Sequence, residues 1–318
     1  MNEFEISLYL IIGLVMLFLG GEGLIRGSAA LSLRIGISPL VVGLTVVAFG
    51  TSSPELLVSL KAALSGNSDI ALGNVIGSNI ANVALILGLS AIIRPLEVHA
   101  NVIRREIPIM IIVTVLLIIF LSNKILGLTE GLIFIFILIV YTTISIRLSL
   151  KENKEIENEF KEGLKSKLNT PLSIILIILG LAFLFYGAEL FLKGAIALAK
   201  FFNLSDAVIG LTVVAVGTSL PELFTSIVAS LKKESDIAVG NVVGSNIFNI
   251  LCILGVTAIL MPISSSEISY FDFAVMLLTA VILLLLSKTG FSLKRWEGIL
   301  LVLGYLIYVY FILPKTSL

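Results

Sequence analysis

Residues 46–82 read VVAFGTSSPELLVSLKAALSGNSDIALGNVIGSNIAN, and residues 213–249 read VVAVGTSLPELFTSIVASLKKESDIAVGNVVGSNIFN. The two stretches align without a gap at an offset of 167 residues, and about two-thirds of their positions are identical. Glu22 and Arg26 find counterparts in Glu189 and Lys193 at the same offset. Self-similarity at a fixed offset means two copies of one structural unit. How the copies are oriented depends on the number of elements between them.

The chain around the repeat is apolar. Of its 318 residues 58% are hydrophobic and 13% charged, with a mean hydropathy of +1.13. A soluble domain carries about 25% charged residues, so this chain could not cover a water-facing surface. Spanning a bilayer takes roughly 17–25 apolar residues. Spans are predicted near 5–25, 36–64, 69–94, 106–122 and 125–148, then near 171–200, 205–232, 236–261, 270–287 and 295–313. The expected class is an all-α polytopic membrane protein with ten transmembrane helices; a barrel would show short alternating strands. Five spans separate equivalent positions, and an odd number forces opposite orientation. The predicted units are a five-helix repeat at 1–148, a charged cytoplasmic linker at 149–170 and an inverted five-helix repeat at 171–318. Inverted repeats with a site at their midplane interface recur in secondary transporters.

The net charge is zero, so no attraction to nucleic acid is implied. The single cysteine, Cys252, lies in an apolar run, reads as a buried core residue and allows no disulfide within the chain. The acidic start Met-Asn-Glu-Phe-Glu and the long first apolar run argue against a cleaved signal peptide. Ten spans put both termini on one side. With that side outside, sixteen of the 21 Lys and Arg residues fall on inner loops and helix ends. The positive-inside rule then predicts external termini and a cytoplasmic linker.

Each copy opens with Gly-Thr-Ser-x-Pro-Glu, at Gly50–Glu55 and Gly217–Glu222. Pro54 and Pro221 lack an N–H and clash with the carbonyls of Gly50 and Gly217, which kinks the helix and releases backbone oxygens. Such oxygens are tolerated at membrane depth only inside protein or along a cavity. Thr51, Ser52, Thr218 and Ser219 add hydroxyls. Each copy continues with Gly-Asn-Val-x-Gly-Ser-Asn-Ile-x-Asn. Asn74, Ser78 and Asn82 recur every four residues and share one helix face, as do Asn241, Ser245 and Asn249. Gly73 and Gly77 make a small-xxx-small pair of the kind that lets helices approach closely. Glycine spacing, buried Asn and Ser, and a proline kink all have ordinary packing explanations. A carboxylate at the centre of a span does not: it needs a proton, a positive partner or a cation, and no Lys or Arg lies at comparable depth. Glu55 and Glu222 together with neutral oxygens make an all-oxygen site of formal charge −2. Hard cations such as Ca²⁺ and Na⁺ take such ligands, and the absence of His and Cys near the motif disfavours transition-metal ligation by soft or imidazole donors. One Ca²⁺, two Na⁺ or two protons would balance the site, and competition for it is a physical basis for exchange.

The paired motifs GTSSPEL…GNVIGSNIAN and GTSLPEL…GNVVGSNIFN resemble the two alpha-repeats of the sodium/calcium exchanger branch of the calcium/cation antiporter superfamily. The resemblance covers the whole chain and is strongest to prokaryotic calcium/sodium antiporters. It implies a Ca²⁺ site at Glu55 and Glu222 with backbone oxygens of Thr51 and Thr218. Flanking Na⁺ sites would use Ala48, Thr51, Ser52 and Ser78 on one side and Ala215, Thr218, Ser219 and Ser245 on the other, with Asn82 and Asn249 completing the centre. Helices one and six resemble the pair that slides against the core. Some relatives carry aspartate where Asn249 stands, a feature of the potassium-coupled branch, so asparagine leans toward potassium-independent exchange. The proton-coupled branch typically has Gly-Asn-Ala-x-Glu before its glutamate, so Gly-Thr-Ser-x-Pro-Glu leans toward sodium.

The expectation is thus Na⁺-driven, electrogenic Ca²⁺ export by alternating access, in a cell-membrane monomer. The ions are substrates and no cofactor is expected. A Ca²⁺/H⁺ antiporter is the alternative within the class, and a cation channel the alternative outside it. An enzyme is disfavoured, because the single His99 excludes a His-Glu-x-x-His site and the motif serines lack a nearby base. His99 reads as a loop residue, Trp296 as an interfacial anchor, and Asn203–Ser205 as a sequon too close to a span to matter.

Overall fold

The computed structural model describes residues 2–159, 169–202, 215–265 and 268–312, with backbone alone at 152–159 and 215. Its elements are helices α1 (Glu3–Ile35), α2 (two arms, Pro39–Thr51 and Ser53–Leu64), α3 (Ser68–Ile93), α4 (Val102–Asn123) and α5 (Leu128–Glu159), followed by α6 (Thr170–Phe201), α7 (Ala215–Thr218 and Leu220–Leu231), α8 (Ser235–Leu260), α9 (Tyr270–Lys288) and α10 (Arg295–Ile312). Eight of these are long and apolar enough to cross a membrane, and the α2 arms, bent by 45°, make a ninth span. The Leu220–Leu231 arm stands where the remaining span is predicted; residues 205–214 of that span, the sequon and residues 160–168 of the linker lie outside the described residues.

Local chemistry sets the ends. Asn2 and Glu5 form a capping box on α1, Ser269 and Asp272 form another on α9, and Asn169 caps α6 ahead of a proline. Helix α1 runs ten residues past its predicted end, to the left-handed Gly36 (φ 69°). The charges that suggested an end do not break it, because Glu22 and Arg26 pair one turn apart. Helix α5 likewise continues past 148 into the predicted linker, to Glu159.

Four two-residue strands tie the loops together. β1 (Leu96–Glu97) pairs antiparallel with β4 (Ser292–Leu293), and β2 (Ile125–Leu126) with β3 (Ile263–Ser264). The first pair joins the α3–α4 and α9–α10 loops, the second the α4–α5 and α8–α9 loops. The Ser38 N–H donates to Ser149 Oγ at 2.7 Å, which joins the α1–α2 turn to the linker end of α5. His99 meets Asp236 at 3.3 Å across the α3–α4 loop and the start of α8. These contacts group the α3–α4 and α9–α10 loops with the start of α8, the α4–α5 loop with the α8–α9 loop, and the α1–α2 turn with the linker end of α5, each grouping consistent with the alternation of the predicted crossings.

The two halves are related by a pseudo-twofold. At the 167-residue offset β1 maps onto β3 and β4 onto β2, so the two strand pairs are images of each other. Helices α1 and α6 pack on one another along most of their length, antiparallel. Their backbones touch: a Cβ at Gly20 would lie 2.8 Å from Gly180 O, and one at Gly180 would lie 2.8 Å from Gly20 O. Helices α3 and α8 are the most buried spans and form the core.

Candidate cation site

The site begins at the bend in α2. Ser52 (φ −84°, ψ 4°) interrupts the helix, and Pro54 stands in the first turn of the second arm. Ser219 (φ −91°, ψ 10°) and Pro221 repeat this in α7. Each break puts a glutamate in the first turn of the following arm, and both are buried: Glu55 is 1% exposed and Glu222 0%. An asparagine from the core fixes each arm. Asn74 Nδ2 donates to Glu55 O (3.3 Å) and Ser59 Oγ (2.9 Å), and Asn241 Nδ2 donates to Glu222 O (3.4 Å) and Ser226 Oγ (3.0 Å).

The two motifs then interlock across the pseudo-twofold. Ser52 Oγ donates to Glu222 Oε1 at 2.9 Å, and Ser219 Oγ to Glu55 Oε1 at 3.4 Å. Ser219 also contacts Ser78 Oγ at 3.4 Å, and Thr51 Oγ1 donates to Asn241 Oδ1 at 3.1 Å. Deeper in the core, Asn79 and Asn246 exchange bonds: each Nδ2 donates to the other's backbone carbonyl, at 3.2 and 3.1 Å. Asn82 Nδ2 donates to Asn246 Oδ1 (3.0 Å) and Asn249 Nδ2 to Asn79 Oδ1 (2.9 Å). Asn82 and Asn249 each open a π-helical stretch, Asn82–Leu87 and Asn249–Leu254; such widened turns often mark functional sites.

Four carboxylates are fully buried among the described residues, and they divide sharply. Glu106 receives Arg105 Nε at 2.6 Å and the Tyr141 hydroxyl at 2.7 Å, one on each oxygen. Glu297 receives the Thr289 hydroxyl (2.8 Å) and the Lys294 N–H (2.6 Å), again one on each. Glu55 and Glu222 each keep one oxygen, Oε2, without a partner, and neither forms an ion pair. Of the ten unpartnered buried side-chain atoms among the described residues, six are hydroxyls, which carry their own proton. The other four are acceptors only: Glu55 Oε2, Glu222 Oε2, Asn82 Oδ1 and Asn249 Oδ1. An unsatisfied buried acceptor costs about 1–3 kcal/mol, more when charged. All four lie in the repeated motif, so the motif concentrates unmet demand for positive charge.

The remaining predicted residues are placed as follows. Ser78 and Ser245 are buried, and Ser245 Oγ has no partner. The Ala48 carbonyl accepts the Ser52 N–H at 3.0 Å, and the Thr51 hydroxyl, which donates to Asn241 at the shorter distance, lies 3.4 Å from it. Ala215 opens the short helix that ends at Thr218, which is half-buried. Gly240 and Gly244 do bring α8 against the first α2 arm, since a Cβ at Gly244 would lie 2.6 Å from Leu44 O. The residues that would face Gly73 and Gly77 at the same offset, Ala207 and Leu211, lie outside the described residues. Sequence reasoning missed Asn79 and Asn246 as more than motif members, although their place one turn before Asn82 and Asn249 in both copies was visible.

The model of the family described as sodium/calcium exchanger protein matches this chain twice, at residues 6–147 and 172–313. The inner membrane protein YrbG of Escherichia coli is 35% identical over 306 residues, covering 94% of each chain. The sodium/calcium exchanger MaX1 of Methanosarcina acetivorans is 34% identical over 343 residues, covering 95% of this chain and 97% of its own. A solved structure of the sodium-calcium exchanger NCX_Mj, soaked with Na⁺ and Ca²⁺, superposes with a TM-score of 0.82 at 32% identity. It covers 98% of this chain and 99% of that one.

Proposed function

The chain belongs to the sodium/calcium exchanger protein family, a family of membrane antiporters and not of enzymes, and from that premise we propose that it exchanges Na⁺ for Ca²⁺ at Glu55 and Glu222. The observation that carries the proposal is the set of four unpartnered acceptors in the motif, two of them carboxylate oxygens. A carboxylate at membrane depth costs roughly 2.5–3.5 kcal/mol on insertion scales. A bound cation removes that cost, so an empty site favours rebinding of one cargo or the other.

Ca²⁺ takes six to eight oxygens in irregular geometry, which suits the carboxylates with the Thr51 and Thr218 backbone oxygens. Na⁺ is assigned to the flanks, to Ala48, Thr51, Ser52 and Ser78 and to Ala215, Thr218, Ser219 and Ser245, with Asn82 and Asn249 at the centre. A carbonyl has two lone pairs, so that of Ala48 can keep its bond to the Ser52 N–H and still ligate while the Thr51 proton goes to Asn241. Three Na⁺ for one Ca²⁺ makes the exchange electrogenic, and a negative interior then drives Ca²⁺ export. Asn249 in place of an acid supports potassium independence. The working units are 1–148 and 171–318, joined by 149–170, in a cell-membrane monomer, since both halves of the site come from one chain. YrbG is an inner membrane protein, and the basic residues support external termini with a cytoplasmic linker.

With that orientation the unequal cover of the two arms supports an outward-facing reading. Arm 220–231 of α7, on the linker side, is covered by α1, and Thr225, Ser226, Val228, Ala229 and Ser230 are all buried. Its image, arm 53–64 of α2, has no such cover from α6, and Leu57 and Val58 are exposed. Exchanging these two environments between the halves gives the inward-facing state.

The test is ⁴⁵Ca²⁺ uptake into Na⁺-loaded proteoliposomes. Uptake is expected with an outward Na⁺ gradient, unchanged when choline replaces K⁺, and reduced at least a hundredfold in Glu55→Gln and Glu222→Gln. Uptake driven by a pH gradient but not by Na⁺ would overturn the choice of coupling ion; normal exchange in either variant would overturn the site.

A further inference from the structure

A cation site needs oxygens turned toward it, and an asparagine amide has one oxygen and one NH₂ of nearly equal shape. Asn82 and Asn249 could present either. What decides between them lies one turn away. Asn79 Nδ2 sits 3.2 Å from the backbone carbonyl of Asn246, and a carbonyl only accepts, so the Asn79 amide can stand in one orientation. Its Oδ1 therefore faces Asn249, 2.9 Å away, and Asn249 must answer with Nδ2. That leaves Asn249 Oδ1 as the free end, buried and without a partner. The mirror chain runs from the Asn79 carbonyl through Asn246 to Asn82, at 3.1 and 3.0 Å, and ends on Asn82 Oδ1, likewise unpartnered. All four side chains are at most 3% exposed, so water does not offer an alternative donor or acceptor.

We propose that Asn79 and Asn246 are positioning residues that polarise two amide relays, each anchored on a backbone carbonyl of the opposite repeat, so that Asn82 and Asn249 present oxygen rather than NH₂ to the transported cation. Neither residue touches the ion. Each repeat sets the ligand of the other, so the two halves of the site are oriented together. The inference rests on the proposed cation site.

The test uses the fact that a carboxylate has two equivalent oxygens and no wrong way round. In Na⁺-loaded proteoliposomes, Asn79→Ala is expected to raise the Ca²⁺ concentration for half-maximal uptake about tenfold, because Asn249 can then turn its NH₂ toward the ion. In the Asn249→Asp background the same Asn79→Ala change is expected to alter half-saturation by less than about twofold. Asn246→Ala with Asn82→Asp gives an independent second set should the first fold poorly. A purely structural role for Asn79 would make the two backgrounds equally sensitive, and that result would overturn the proposal, as would unchanged half-saturation in both Asn79→Ala and Asn246→Ala. Glu55→Gln, run alongside, separates the two readings: if it exchanges normally the site itself is misplaced, whereas its loss with insensitive asparagines sinks the relay alone.

Discussion

At the scale of single residues, burial does not set the proposed transport carboxylates apart from the other buried ones; incomplete satisfaction does. Glu106 is as buried as Glu222, yet both of its oxygens are taken by Arg105 and Tyr141. Glu106→Gln removes one charge from a closed pair and leaves a half-buried Arg105 without its partner. It is expected to cost about 1–3 kcal/mol, seen as a melting temperature lower by several degrees in detergent, with half-saturation for Ca²⁺ unchanged. Glu55→Gln should do the reverse: it removes repulsion from an empty site, so the apo protein melts no lower while exchange is lost. Glu55 and Glu222 were legible in the sequence because each is a lone carboxylate mid-span, duplicated with a proline beside it. Glu106 was not, because it sits at the mouth of an apolar run and its partner Tyr141 is 35 residues away. The orienting role of Asn79 and Asn246 was hidden for a related reason. An amide's orientation is a property of the contact between repeats, and no spacing within one repeat encodes it.

At the scale of elements, the α1–α6 pair meets the rest of the molecule unequally. Lys232, at the end of α7, reaches Glu22 on α1 at 3.0 Å, with both side chains about a quarter to a third exposed. At the same offset in the first repeat stands Ser65, which has no charge to offer Glu189; Glu189 pairs instead with Lys193 on its own helix. Among the described residues the cross-helix bridge therefore exists on the linker side alone, where it holds α1 against the covered arm. A partly exposed pair is worth up to about 1 kcal/mol, a shift of roughly fivefold in a two-state population. Lys232→Ser, which copies the other repeat, is expected to open the linker side to that extent. The measurement is maleimide labelling of Thr225→Cys in a Cys252→Ser background, from the linker side; a labelling rate unchanged by Lys232→Ser would rule out the latch. Helix number and order were largely legible from hydropathy and the repeat. The length of α1 was not, because intrahelical pairing of Glu22 with Arg26 lets a helix carry charges that read, along the sequence, as its end.

At the scale of the whole molecule, the sequence is nearly symmetric and the structure is not. The repeat predicts that two states exist, each the image of the other, but it contains nothing that selects one. Selection lies in differences between equivalent positions, such as Lys232 against Ser65, and in which arm is covered. The same scale governs energy coupling. The motif supplies two negative charges and neutral oxygens, so a Ca²⁺-loaded site is neutral while a site holding three Na⁺ carries one positive charge. With the proposed three Na⁺ for one Ca²⁺, each turn of the cycle would move one net charge across the membrane, worth about 2.3 kcal/mol per 100 mV. At 1.4 kcal/mol per factor of ten, a 100 mV change in potential should shift the limiting Ca²⁺ ratio by about fiftyfold at a fixed Na⁺ gradient. In Na⁺-loaded proteoliposomes Na⁺ leaves as Ca²⁺ enters, so an inside-positive potential set by K⁺ and valinomycin is expected to increase accumulation and an inside-negative one to reduce it. Accumulation indifferent to the imposed potential would mean two Na⁺ for each Ca²⁺. The cargo would then match the two carboxylates in both half-cycles, and export would draw on the Na⁺ gradient alone.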